Sequence, residues 1–200
     1  MSEVLEKLFG SKVRLRLLRF FLLNSQNEYT FNEIVNKNKI NKKESRSELN
    51  NLVKIKFLKS HRKGRFKYYK INLQFSFYPE LESLLVKSNI FPQSKSLGKI
   101  KNIGNVKLAI ISGIFLNYPK SRADLLIVAD NVSRRKLNNV IANLEAEIGK
   151  EIGYMLLSTE ELNYRLNMLD RFLFDFLKGP HEEVINRLPK LKRVIAGIKK

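Results

Sequence analysis

Cysteine and tryptophan are absent from the 200 residues, and histidine occurs twice. Without thiols the chain has no disulfide framework and no thiolate metal centre. His61 and His181 lie far apart with no ligand cluster beside either, so no metal site is expected. No Gly-rich phosphate motif of the Walker or Rossmann type occurs, and no cofactor is expected. Neither histidine has an identifiable serine or cysteine nucleophile or acid partner in the local sequence, so no catalytic residue is assigned. Long apolar runs are also missing. The N-terminal 25 residues come nearest, but Lys12, Arg14, Arg16 and Arg19 interrupt them, and no small-residue cleavage site follows. That pattern is neither a signal peptide nor a membrane span, so the chain is expected in the cytoplasm with no membrane partner.

Acid is scarce as well. Asp and Glu number 19 against 38 Lys and Arg, a net charge of +19. Such a balance predicts attraction to polyanions, nucleic acid first and anionic membrane second. Hydrophobic residues make up 44%, enough for a real core in one large or two small domains. The charge is uneven: residues 1–98 carry +12 and residues 99–200 carry +7.

The stretch from Thr30 to Leu73 organises the rest. Thr30 stands three residues before Glu33, and Asn41 three before Glu44, so each pair predicts a helix start closed by a capping box. Phe31, Ile34 and Val35 share one face of the first helix; Leu49, Leu52 and Val53 share one face of the second. At about 100° per residue, Lys43, Ser47, Asn50 and Lys54 fall on the opposite, solvent face, with Lys42 beside them. A cationic, hydrogen-bonding face of this kind suits phosphates and base edges. Beyond it, Gly64 can take the positive φ of a tight hairpin, and Phe66, Tyr68 and the alternating lysines read as a strand. Arg62, Lys63, Arg65 and Lys67 surround that turn with no acid among them.

Helix, turn, helix and basic hairpin in this order resemble the winged helix-turn-helix of transcription regulators of the MarR and ArsR kind. The resemblance implies that the second helix enters the major groove of double-stranded DNA. The hairpin then lies along phosphates, and a dimer reads two half-sites. The candidate DNA-binding residues are therefore Lys42, Lys43, Ser47, Asn50, Lys54, Arg62, Lys63, Arg65 and Lys67.

Around this core, Val4–Phe9 predicts a short leading helix. Ser11 caps a second, in which Val13, Leu17, Phe20 and Phe21 pack inward, and its arginines are expected on a solvated face. A further helix starts at Tyr78. Residues 89–98, with Pro, Ser and Gly and no periodicity, read as a linker. The expected organisation is thus a winged helix-turn-helix domain over 1–88, a linker over 89–98, a small α/β domain over 99–188 and a basic tail over 189–200.

In the second domain, Val106–Ile111 and Ala123–Ala129 predict buried strands. Ser133 to Gly149 predicts a helix, Glu151–Leu157 a third strand, and Ser158 caps another helix. Ser112-Gly113 after the first strand and Arg122-Ala123-Asp124 on the next resemble a minimal nucleotidyltransferase fold. Active members of that family hold two metal ions with paired acids on one strand plus a third from the next. Here Arg122 replaces the first acid, Ile114 replaces the hydroxyl that follows the glycine, and Gly113 and Asp124 remain as a vestige. The overall expectation is an α+β regulator of transcription with an inactive transferase-like domain, which could hold an unknown ligand or protein partner. The alternatives are a metal-dependent nucleotidyltransferase targeted by the winged domain and an antitoxin-like interaction protein.

Overall fold

The computed structural model describes residues 2–87 and 96–188. The chain is α+β with two small sheets, one of three strands and one of four. Of the described residues, those up to Lys87 and Ala142–Glu151 form one compact unit. Those from Ser96 to Ile141 and from Ile152 to Leu188 form the other. Most of the expected linker and all of the expected tail lie outside the described residues. At the end of that linker, Ser96 and Leu97 are buried, and Leu97–Asn102 forms a 3-10 turn.

In the first unit, α1 (Ser2–Phe9) and α2 (Lys12–Leu23) are separated by Ser11, whose hydroxyl accepts from Arg14 N at 3.1 Å. Leu17 and Phe21 of α2 are fully buried and centre a core that also takes in Ile34, Leu49, Phe57 and Leu58. The arginines of α2 do not form a free, solvated face: Arg14 and Arg16 are half-buried and engaged, and Arg19 is buried. Arg14 grips the Glu48 carboxylate through two nitrogens, at 2.9 and 3.2 Å. Arg16 donates to the Asn38 carbonyl at 3.0 Å, where a helix end carries partial negative charge. Arg19 is 4% exposed, and burial pushes its guanidinium down to about 10.

Strand β1 (Tyr29–Thr30) leads into α3 (Phe31–Asn38), and the Thr30–Glu33 box closes in both directions. Its N–H and hydroxyl donors hold the Glu33 carboxyl below the usual range. Lys39, left-handed at φ 47°, ends α3. Asn41 then opens α4 (Lys42–Lys54) by accepting from Lys43 N and Glu44 N at 2.8 and 3.3 Å. Glu44 makes no return bond, so this second box is half formed. Strands β2 (Leu58–Lys63) and β3 (Phe66–Ile71) pair as a hairpin, and β1 joins on the far side of β3. Lys63 faces Phe66, leaving Gly64 and Arg65 as the loop, with Gly64 at φ +60°. Helix α5 (Tyr78–Lys87) returns Leu85 to the same core.

In the second unit, β4 (Asn105–Ile111) and β5 (Leu125–Asp130) run antiparallel. The chain then passes through α6 (Arg134–Ile148), whose residues from Ala142 onward belong to the first unit, to β6 (Tyr154–Leu157), parallel to β5. The first five residues of β5 are buried, as a central strand covered on both faces requires. Strand β6 begins at Tyr154, later than the predicted start at Glu151. Ser158 and Asp170 cap α7 (Thr159–Asn167) and α8 (Arg171–Lys178). A final strand, β7 (Glu182–Asn186), pairs antiparallel with β4 and completes the order β6-β5-β4-β7. Leu173, Phe176 and Leu177 of α8 pack with Leu108, Leu126 and Val128 of the sheet.

Candidate nucleic-acid interface

Helix α4 buries Ser45, Leu49 and Leu52 and turns its other faces outward. Lys42, Lys43, Ser47, Asn50 and Lys54 are all exposed. So are Arg62, Lys63, Arg65 and Lys67 on the hairpin. The side chains of Lys42, Lys43, Ser47, Asn50, Lys54, Arg62 and Lys63 make no hydrogen bond or ion pair with any described residue. Arg65 and Lys67 touch only rings: Arg65 lies 5.3 Å from the Phe66 centroid and Lys67 5.1 Å from that of Tyr69.

The hairpin register sharpens the point. Arg62 stands directly across from Lys67, and Lys59 across from Lys70. Like charges in that relation destabilise a strand pair. Glu44 and Glu48 are the only acids between Lys42 and Ile71, and Glu48 is already held by Arg14. Glu28 reaches the hairpin only at His61, 3.2 Å away, so the lysines and arginines of this surface are left without an ion-pair partner among the described residues.

Sequence reasoning missed Arg46. It is exposed on α4 between Lys43 and Asn50, and its guanidinium sits 5.1 Å from the Phe31 ring centroid on α3. That stacking limits the freedom of a long side chain without using its hydrogen-bond donors. The i, i+4 spacing of Arg46 and Asn50 was a visible signal; the brace from Phe31 was not.

Gly113 and Asp124 do come together. The Asp124 carboxylate accepts from Ile114 N at 2.7 Å through one oxygen and from Gly153 N at 2.8 Å through the other. Gly113 is left-handed, at φ +51°, and a Cβ there would overlap the Asp124 carboxylate. One aspartate thus ties the turn after β4 to the approach to β6. Arg122, two residues earlier, pairs with Asp175 at 3.2 Å. Glu151 precedes β6 and binds Lys37 at 2.8 Å, an engagement that raises the lysine and lowers the carboxyl. No group of three His, Asp or Glu side chains converges among the described residues.

No protein-family model matches this chain, and neither a curated protein nor a solved structure does. Among the described residues, no helix is long and apolar enough to cross a membrane.

Proposed function

We propose that the protein is a DNA-binding regulator of transcription whose first unit is a winged helix-turn-helix. The order β1, α3, α4, β2, β3 supports that reading, with α4 as the helix that enters the major groove and the β2–β3 hairpin as the wing. The observation that carries it is the unneutralised charge. Arg62 opposite Lys67 and Lys59 opposite Lys70 cost stability in isolation. A row of phosphates supplies the missing counter-charge. On α4, Lys43 and Lys54 suit phosphates, while Ser47 and Asn50 suit base edges, asparagine matching adenine in particular.

The second unit is read as a nucleotidyltransferase-like domain that has lost its chemistry. The antiparallel pair, crossing helix and parallel strand support the likeness, as does Gly113 beside Asp124. The residues do not fit a magnesium clamp. Magnesium needs several oxygens in near-octahedral order, whereas Asp124 has both oxygens committed to backbone N–H groups and Arg122 stands where a second acid would be needed.

The test is binding of the full chain to duplex DNA followed across salt. Affinity should fall linearly on a log–log plot, and selection from a random duplex pool should return a motif that α4 reads. A palindromic motif would add that two copies bind together. No retardation of duplex at low salt would overturn the reading.

A further inference from the structure

A second group of cations lies outside α4 and the hairpin. Lys99 and Lys101 project from the 3-10 turn at Leu97–Asn102, and Arg134, Arg135 and Lys136 open α6. The two segments are tied together. Ser133 N donates to the Ile103 carbonyl at 2.8 Å, and a Cβ on Gly104 would stand 2.8 Å from the Asn131 carbonyl oxygen. All five side chains are exposed. None makes a hydrogen bond or ion pair with a described residue. The nearby acid, Asp130, is held by Lys107 and by Thr159.

This placement opposes the fold's own electrostatics. The start of a helix carries partial positive charge, and acids are favoured there. The first turn of α6 has no acid and three consecutive cations. Exposed Asn102, Asn138 and Asn139 flank them with neutral donors. A small anion would be gripped in a cleft by converging donors. Here the five cations are exposed on two adjoining segments, a surface suited to the run of anions along a nucleic-acid backbone.

We propose that the second unit carries its own surface for the phosphate backbone of duplex DNA, formed by Lys99, Lys101, Arg134, Arg135 and Lys136. The surface is independent of α4 and the hairpin and carries no base-reading role. It goes beyond the regulator assignment and is tested separately from it.

The experiment measures affinity of the full chain for duplex DNA across salt, for the wild type and for R134A/R135A/K136A. Each phosphate no longer neutralised should lower the magnitude of the salt slope by about 0.9, so the triple variant should lose roughly 2–3. R134K/R135K keeps the charge and should keep the slope, which separates charge from shape. Unchanged thermal unfolding of each variant establishes that it is folded. A second chain, K43A/R62A/K63A/R65A, separates this surface from the first unit. It should retain weak, salt-sensitive duplex binding that disappears when R134A/R135A/K136A is added. An unchanged slope in the triple variant, or no residual binding in the second chain, would overturn the proposal. A triple variant with reduced slope alongside an unaffected second chain would uphold this surface and sink the regulator assignment instead.

Discussion

On α4 and the hairpin, Lys43, Arg62 and Lys63 reach no partner among the described residues, and Arg62 even faces Lys67 across the strands. Just before β5, Asp124 has each oxygen taken by a backbone N–H. The first arrangement leaves charge available to an outside anion at some cost to the fold. The second spends its charge on the fold, with one lone pair of each oxygen already held by the backbone. The contrast teaches how to weigh a charged residue found by pattern. Its type and spacing nominate it, but the occupancy of its hydrogen-bonding atoms decides whether it can act on something else.

The largest test of the contrast removes the available charge. Replacing Arg62, Lys63 and Arg65 with alanine should weaken duplex binding on the order of 100-fold near physiological salt, roughly one phosphate per side chain. Thermal stability should hold or rise slightly, because Arg62 no longer repels Lys67. Binding measured by anisotropy and unfolding followed by circular dichroism check both halves. If affinity survives the triple replacement, the hairpin is not where DNA sits.

The reciprocal test removes the spent charge. Asp124→Ala leaves Ile114 N and Gly153 N without their acceptor and should cost roughly 2–4 kcal/mol of folding stability, since bonds to a charged acceptor are the stronger kind. Duplex affinity of the folded fraction should not change. Denaturant unfolding reads the first expectation. The contrast breaks if the wild type transfers label from a nucleoside triphosphate and Asp124→Ala abolishes that transfer without loss of stability.

What could be read ahead of the fold was local. The Thr30–Glu33 box needs only neighbours three residues apart, and it closes as expected. Gly64 takes the positive φ that the hairpin turn requires. The outward face of α4 follows from helical spacing. The parts that escaped depend on distant partners. Arg19 looks like a surface arginine until Leu17, Leu18 and Phe20 around it are all buried. Strand β7 has acids at Glu182 and Glu183 and no clean alternation; it exists because β4 offers an open edge more than 70 residues earlier. Asp124 was found as a carboxylate of the right kind, but its role is set by Gly153, which only the folded sheet brings near. The brace of Phe31 on Arg46 likewise depends on the packing of α3 against α4.

The smallest effect concerns another acid of the second unit. Asp130 accepts from Thr159 N at 2.9 Å and from the Thr159 hydroxyl at 2.7 Å, and Lys107 lies 3.1 Å away. The Thr159 N–H first, then its hydroxyl and Lys107, hold the carboxyl at about 2 rather than 3.8. A group whose value is lower folded than unfolded stabilises the fold fully above the unfolded value. That contribution is lost as pH falls through the folded one. Stability should therefore decline between 3.8 and about 2 in the wild type. Asp130→Asn keeps an oxygen for Thr159 N but cannot titrate, so its decline over that window should be shallower. Denaturation midpoints at several acid pH values compare the two. Superimposable profiles would mean that the bonds to Thr159 and Lys107 do not hold the Asp130 charge, and that the second unit commits its acids less completely than Asp124 implies.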